Sequence, residues 1–474
     1  MLPLSRCHAF RVGFLSSPIS SSAITRSWFS GLVAAVMMLF ALSGRPASAA
    51  IFNPESFTLA NGLQVIVLTN DRLPVVTQMV WYKVGAADDP PGKSGIAHFL
   101  EHLMFRGTGK IAPGEFSRII SRNGGVDNAF TSSDATAYYQ TVAADRLELV
   151  MQLESDRMAN LALDEKEVLP ERQVIIEERR TRTENNPSAL LREQMNATLF
   201  LNHPYHNPVI GWRHEMAALT RDDAIDFYKH HYAPNNAILI ISGDVTLAKV
   251  RELAERYYGP IKRSDVPPRV RRQEPPHIAA RRVTLESDRV RDPRVSRTYL
   301  APSYTTGAKE YAYALQVLES ILSGGATSRL YSKLVVKDEA AVSAYASYDV
   351  GNYDWGTFSI GGQPRGDVSV TALEIAIDKE LTLLLKDGVT QAEVDHAKQQ
   401  LIASATYSRD SLRQGAQVIG GALTTGQTIA DAEAWPDRIK AVTVEQVNAA
   451  ARDLFDINKS VTGILLPANV EKRS

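Results

Sequence analysis

The sequence predicts an α+β fold of two similar domains, each an antiparallel sheet flanked by helices. Three observations support this prediction. Strand and helix patterns follow one another in the same order in both halves of the 474-residue chain. Paired prolines among arginines at residues 264–280 separate the halves. Each half, at about 200 residues, has the size of a domain. We interpret this organisation as an ancient duplication.

The first half opens with a hairpin, in which residues 56–60 and 63–68 flank the turn Asn61-Gly62. An Asn-Gly pair between two apolar runs is a strong local signal for such a turn. The remaining elements of this half follow in chain order. We expect a strand at 75–84, a helix around His98, a helix at 115–121, two strands within 126–141, helices to about 231, a strand at 237–242 and a helix ending at 258.

The second half repeats this order after the linker. We expect a strand at 297–300, a helix at 311–322, strands at 342–349 and 357–361, helices at 368–385 and 391–405, a last helix capped by Thr443 and Gln446, and a strand at 460–466. The predicted organisation is therefore a leader at 1–49, a first domain at 50–265, an exposed linker at 266–280 and a second domain at 281–474. The helix at 311–322 has the place of the His98 helix but contains no histidine.

Residues 98–102 place two histidines and a glutamate at helical spacing. In a helix, His98 and His102 lie one turn apart on one face and can both reach one metal ion. Glu101 lies beside them, close enough to take a proton from a water molecule bound to that ion. This H-x-x-E-H order is typical of hydrolytic zinc sites, although two histidines and a glutamate also occur on ordinary polar faces. Ser94 is expected to cap the helix, and an apolar stripe is expected to bury it: Ile96, Phe99, Leu100 and Leu103.

A catalytic zinc site needs a third protein ligand, and the segment 170–179 is its best source. This segment is predicted to be a helix opened by Pro170. Its residues Glu171 and Glu178 are seven apart, about 10 Å along the axis, so only one of them can bind the metal directly. The other is expected to orient the ligands or the water network. Spacing alone does not distinguish Glu178 from Glu177.

Composition is that of an ordinary globular enzyme. A net charge of −1 with 22% charged residues lacks the basic character of a nucleic-acid-binding protein. The only cysteine, Cys7, lies in the leader, so the remaining chain has neither disulfide nor thiol chemistry.

The leader, residues 1–49, has the pattern of a secretory signal. It contains arginines but no acidic residue, an apolar run from Gly31 to Leu42, and the sequence Ala47-Ser48-Ala49, after which cleavage is expected. We therefore favour a periplasmic or secreted protein without stable membrane insertion. The alternatives are a mitochondrial presequence, which is amphipathic where this run is apolar throughout, and an uncleaved membrane anchor, for which twelve apolar residues are short.

The run from His98 to Gly107, the pair Glu171 and Glu178, and several later segments resemble the pitrilysin, insulysin and mitochondrial processing peptidase family. Residues 124–131 resemble the edge strand with which that family pairs substrate. The resemblance assigns the site residues as follows: His98, His102 and Glu178 as ligands of one Zn²⁺ ion, Glu101 as general base, Glu171 as an additional glutamate supporting catalysis, and Asn128 and Ala129 as substrate-binding residues.

The chain departs from the family at one place. Many members hold substrate with an arginine and a tyrosine seven residues apart, where this chain has Val335 and Val342. Either Arg329 or Tyr345 replaces the pair, or a partner chain supplies it. We favour the partner chain, because the surrounding residues align without a gap.

We therefore expect a zinc metalloendopeptidase of two domains enclosing a substrate chamber, acting on unfolded peptides. Its partner is expected to be a homologous subunit, in a heterodimer or a homodimer. A mitochondrial-type processing peptidase and a non-catalytic scaffold of the same fold are the alternative functions. Another first-row metal in place of zinc also remains open.

Overall fold

The structure is a computed structural model that describes residues 51–408 and 411–468. In this range the predicted fold class is confirmed, since two α+β domains each contain one sheet with helices packed on it. The predicted leader lies outside the described residues. Between residues 51 and 468, no described helix combines the length and apolar character that crossing a bilayer requires.

The first domain is built on a six-stranded sheet. Its strands are β1 (Glu55–Thr58), β2 (Gln64–Thr69), β3 (Val75–Tyr82), β4 (Val126–Thr131), β5 (Thr136–Ala143) and β6 (Ala237–Gly243). Its helices are α1 (Ile96–Leu103), α2 (Glu115–Arg122), α3 (Leu147–Asn160), α4 (Glu165–Arg179), α5 (Pro187–Leu199), α6 (Arg213–Ala218), α7 (Arg221–His231) and α8 (Leu247–Tyr257). The strand order is β1-β2-β6-β3-β5-β4.

The second domain is built on a five-stranded sheet. Its strands are β7 (Arg281–Ser287), β8 (Arg294–Ala301), β9 (Ala341–Asp349), β10 (Gly356–Pro364) and β11 (Ser460–Pro467). Its helices are α9 (Ala312–Ser323), α10 (Val370–Asp387), α11 (Gln391–Ser408), α12 (Leu412–Thr424), α13 (Ile429–Glu433), α14 (Trp435–Ala441) and α15 (Val444–Leu454). Strand β7 was not predicted, because Val283 and Leu285 are the apolar residues among its seven and carry little apolar signal.

The two sheets share one topology. The second sheet has the order β7-β11-β8-β10-β9, which matches β2-β6-β3-β5-β4 of the first. In each sheet the last strand inserts beside the first of these strands, so the pairs β2–β6 and β7–β11 are parallel. The other strand pairs of the described residues are antiparallel, as expected. The repeated order supports the predicted duplication.

The two domains are joined by helices that pack on each other's sheets. Helix α5 of the first domain packs on β7, β8 and β11, and helix α12 of the second packs on β3 and β6. Both contacts are close at a glycine: a Cβ on Gly420 would lie 2.1 Å from Nε1 of Trp81, and one on Gly463 would lie 2.1 Å from Sδ of Met195. The domains therefore contact each other extensively, and an enclosed substrate chamber stays a prediction.

The linker at 266–280 is not simply exposed. Its prolines face solvent, but the side chain of Arg271 is only 8% exposed and forms ion pairs with three carboxylates. These are Asp88 at 2.5 Å, Asp134 at 3.3 Å and Asp354 at 3.5 Å. The prediction of an exposed linker was wrong at this residue, because its partners are distant in sequence.

Candidate metal centre

Helix α1 carries the H-x-x-E-H residues and begins after Gly95, whose φ of 88° is a conformation that favours glycine. Ser94 does not cap the helix as predicted, since its hydroxyl instead accepts a hydrogen bond from Trp212 N at 2.9 Å. The carboxylate of Asp89 satisfies the first turn, accepting from Gly95 N at 2.6 Å and Ala97 N at 3.2 Å. A cap from outside the helix fixes where α1 begins.

The predicted apolar stripe of α1 is confirmed. It packs into the core of the first domain and is at most 1% exposed: Ile96, Phe99, Leu100 and Leu103. Because this side of the helix is buried, the two histidines lie on its opposite flank. The stripe therefore holds the site residues in a fixed orientation.

Helix α4 supplies the two glutamates. It begins at Glu165, with the Asp164 side chain accepting from Lys166 N, so Pro170 lies inside the helix and does not open it as predicted. The helix continues into a π-helical turn at Arg180–Glu184. Glu171 and Glu178 lie on the side of α4 that contacts α1.

The structure brings His98, His102 and Glu178 together. Their possible ligand atoms all lie within 4.8 Å of one another. Oε2 of Glu178 lies 3.8 Å from Nε2 of His98 and 3.4 Å from Nε2 of His102. This oxygen is buried and accepts no hydrogen bond from any residue that the structure describes. Two imidazole nitrogens and a carboxylate oxygen around one point fit the ligand set of a catalytic zinc ion.

Glu177 points away from this cluster. Its side chain is 58% exposed and pairs with Arg180 at 2.6 Å. Glu178 is 15% exposed, and its second oxygen pairs with Arg182 at 2.6 Å. The neighbouring His102 lowers the pKa of Glu178, which keeps the carboxylate ionised. The geometry thus distinguishes two neighbours that spacing alone could not separate.

Glu171 lies behind His102. The Nδ1–H group of His102 donates to Oε1 of Glu171 at 2.8 Å, and Arg106 donates to Oε2. Burial alone would lower the pKa of His102, but the carboxylates of Glu171 and Glu178 raise it to about 9. Burial and the nearby His102 instead lower the pKa of His98 to about 4. The hydrogen bond to Glu171 keeps the second proton on Nδ1, so a metal ion at the cluster would displace the proton of Nε2 and bind His102 through that atom.

Glu101 is 9% exposed and adjoins the cluster. Its Oε2 accepts a hydrogen bond from the hydroxyl of Thr131 at 2.6 Å. Burial raises the pKa of Glu101 above its usual range, although the Thr131 hydroxyl opposes this shift. Thr131 was not singled out by sequence analysis, because no local pattern links a strand threonine to a glutamate thirty residues earlier.

Asn128 and Ala129 lie on β4, which is an edge strand of the first sheet. They pair on one side with β5, opposite Tyr139 and Tyr138. The N–H of Ala129 donates to Oδ1 of the neighbouring Asn128 at 2.8 Å. In the described part of the chain no other strand pairs with the free side of β4. Its backbone groups can therefore accept an added strand.

Two family models match most of this fold. The model described as "Insulinase (Peptidase family M16)" matches residues 65–212, and the model described as "Peptidase M16 inactive domain" matches residues 218–401. The chain belongs to peptidase family M16. The first match contains the whole metal cluster, and the second contains α9, which has the place of α1 in the second domain but no histidine.

Relatives within the M16 family are named as zinc proteases. Zinc protease PqqE of Helicobacter pylori is 38% identical over 349 residues, which are 73% of this chain and 77% of that protein. The crystal structure of a protease from Helicobacter pylori has a TM-score of 0.82 and 33% identity over 88% of this chain and 100% of that chain. The periplasmic protease PqqL of Escherichia coli shares the fold at 18% identity, with a TM-score of 0.73 over 87% of this chain and 47% of that one.

The valines at the expected substrate clamp have different environments in this M16 chain. Val335 is 7% exposed in the core of the second domain, whereas Val342 is 51% exposed on the edge strand β9. Arg329 is engaged elsewhere, donating to Glu393 at 2.5 Å and to the carbonyl of Gly388 at 2.8 Å. Arg329 is thus not a free replacement for the missing arginine.

Proposed function

We propose that this M16 chain is a zinc-dependent metalloendopeptidase that hydrolyses unfolded peptides. The observation that carries the proposal is the convergence of His98, His102 and Glu178 on one point, with Glu101 beside them. A non-catalytic scaffold has no need of this arrangement. The names of the relatives, zinc proteases, agree with it.

The reaction is assigned to residues of the first domain. A bound zinc ion supplies Lewis acidity, which polarises the scissile carbonyl and lowers the pKa of a water molecule. Glu101 accepts a proton from the attacking water and then passes it to the leaving amine. Glu171 holds His102 in the orientation that its hydrogen bond defines.

We assign substrate binding to the edge of β4 that is unpaired in the range described by the structure. An extended peptide that adds as a strand beside Asn128 and Ala129 forms hydrogen bonds through its backbone, so binding tolerates many sequences. A stably folded protein cannot present such a strand. Unfolded peptides should therefore be cut much faster than folded proteins that contain the same bonds.

We propose that a homologous partner subunit, in a heterodimer, supplies the arginine and the tyrosine. A homodimer is the alternative assembly, but it would lack the pair, because both chains would have Val335 and Val342. Support comes from the buried Val335 and from Arg329, whose guanidinium is bonded to Glu393. The length of PqqL also agrees with a second subunit, because this chain covers only 47% of PqqL, which leaves about half of that protein without a counterpart here. The same proposal includes export, with the leader cleaved after Ala49. A mitochondrial processing peptidase would share the same site residues but carry a mitochondrial presequence in place of a secretory signal.

Peptide hydrolysis by the purified chain tests the proposal. The zinc-loaded protein should cut an unstructured peptide, and removal of the metal with a chelator should abolish cleavage until zinc is restored. A parallel assay should compare the cleavage rate of a stable folded protein with that of its unfolded form, which should be cut much faster. If the zinc-loaded chain alone is weakly active, adding a homologous subunit that has the arginine and tyrosine should raise the rate. Absence of zinc-dependent cleavage with and without such a subunit would contradict the proposal.

A further inference from the structure

We infer that Thr131 is a positioning residue for hydrolysis, because its hydroxyl holds the Glu101 carboxylate against the edge strand assigned to substrate. This inference rests on the proposed function, which gives Glu101 its role as general base. It adds a residue outside the H-x-x-E-H segment and outside the metal cluster.

The direction of this hydrogen bond follows from its acceptor, since an ionised carboxylate has no proton to donate, whereas each threonine hydroxyl has one. Thr136, opposite Thr131 in the strand pair, donates its proton to the carbonyl of Val84 at 3.0 Å. Thr136 therefore cannot donate to Thr131, 3.5 Å away. The proton of Thr131 is directed to Glu101, and the 2.6 Å distance is typical of a hydroxyl bonded to a charged carboxylate.

This bond determines which oxygen of Glu101 is available. In the part of the chain that the structure describes, Thr131 is the one hydrogen-bond partner of this carboxylate, and it engages Oε2. Oε1 is therefore the oxygen that can accept a proton from the attacking water. A general base must lie within about 2.6–3.2 Å of the group whose proton it takes. Without the hydroxyl, the carboxylate can rotate away, and a misplacement of about 1 Å can cost a factor of about 100 in rate.

The position of Thr131 is set by the turn that follows it. In this turn, Asp134 accepts hydrogen bonds from the Tyr205 hydroxyl at 2.6 Å and from Tyr353 N at 3.0 Å, and Arg271 lies 3.3 Å from its other oxygen. These partners belong to the first domain, the second domain and the linker. The fold therefore holds the hydroxyl in place independently of Glu101.

Two substitutions at Thr131 and one control test the inference. Thr131→Val keeps the side-chain shape but lacks the hydroxyl, and Thr131→Ser keeps the hydroxyl. Thr141→Val is the matched control, because the Thr141 hydroxyl lies 2.9 Å from that of Thr77 in the same sheet and away from Glu101. All three proteins should bind zinc and unfold at temperatures close to that of the wild type.

Thr131→Val should lower kcat for an unstructured peptide roughly tenfold to a hundredfold while KM stays unchanged. Thr131→Ser should restore most of kcat, and Thr141→Val should match the wild type. In the Glu101→Gln background, Thr131→Val should have no further effect on the residual rate. A wild-type kcat in Thr131→Val, or a loss that serine does not restore, would overturn the inference.

A crystal structure of the metal-free Thr131→Val protein provides a readout that does not depend on activity. The Glu101 carboxylate should occupy a different rotamer or several rotamers, and one unchanged rotamer would overturn the inference. If the zinc-loaded wild type hydrolyses no peptide, the proposed function fails. The crystal structure then still decides whether Thr131 orients Glu101.

Discussion

Nδ1 of His102 donates a hydrogen bond of 2.8 Å to Oε1 of Glu171, while Nε2 of the same ring lies 3.4 Å from Glu178. Glu171 thus orients the imidazole of His102, and Glu178 lies beside that imidazole in the candidate metal cluster. Both come from the same face of α4, separated by two helical turns. This division of roles gives the two carboxylates different expected mutational effects.

Glu171→Ala should weaken zinc binding about tenfold to a hundredfold, because outer carboxylates that orient a histidine ligand contribute about that much to metal affinity. Glu171→Gln, which can still accept the hydrogen bond, should weaken it less. Competition with a chromophoric chelator measures the dissociation constant. Glu165→Ala, at an exposed position of α4, is the control and should bind zinc like the wild type. Wild-type affinity in Glu171→Ala would contradict this role.

Glu178→Gln should lose zinc, whereas Glu177→Gln should keep it. The reason is that Glu178 faces both histidines, while Glu177 is exposed and paired with Arg180. Metal analysis of the two purified proteins after dialysis distinguishes them directly. Full zinc content in Glu178→Gln together with loss in Glu177→Gln would reverse the ligand assignment.

Much of the fold was predictable from local pattern. The hairpin, the apolar stripe of α1 and the capping box at Thr443 and Gln446 are encoded within a few residues each, and all three are present. The parallel pairs β2–β6 and β7–β11 were not predictable in this way, because they join strands at opposite ends of a domain. The packing of α5 on the second sheet and of α12 on the first sheet is equally non-local.

The site residues that share a motif or match a family were predictable from the sequence. Glu177 and Glu178 were not separable, since neighbouring helical positions differ by rotation about the axis and not by spacing. Ser94 has the sequence position of a cap for α1, but Asp89 caps the helix instead. Thr131 was not predictable, because its contact with Glu101 depends on how β4 packs against α1.

Gly420→Ala should destabilise the protein by about 1–3 kcal/mol, because the added methyl group would overlap Trp81 at the contact between α12 and the first sheet. Gly421→Ala is the matched control in the same helix, where nothing lies within 4 Å of the added group. It should be neutral or stabilise the protein by up to about 1 kcal/mol. Urea unfolding measures both. Equal effects of the two substitutions would contradict the close contact.

Glu393→Gln should destabilise the protein at neutral pH, and the effect should shrink in acid. Burial alone would raise the pKa of Glu393, but hydrogen bonds from Arg329 and Thr390 lower it to about 2. A carboxylate with a lowered folded-state pKa stabilises the fold above its unfolded pKa of about 4.3, and this contribution is lost as the pH falls toward 2. The difference in unfolding free energy should therefore be constant above about pH 5 and smaller near about pH 3.

Arg329→Ala provides the companion measurement for this ion pair. It removes the main partner of Glu393, so it should reproduce the pH dependence of Glu393→Gln. Urea unfolding of each variant and of the wild type across this pH range gives the comparison. A difference that is as large near about pH 3 as at neutral pH would show that the ion pair does not cause it.

The central claim is that Glu101 is the general base beside a zinc ion held by three other residues. Zinc content and peptide hydrolysis, measured together on the Glu101→Gln protein, test it most directly. We expect about one zinc ion per chain, as in the wild type, and a fall in kcat of about 10²–10⁴-fold. A Glu101→Gln protein that keeps its zinc and most of its activity would contradict the claim.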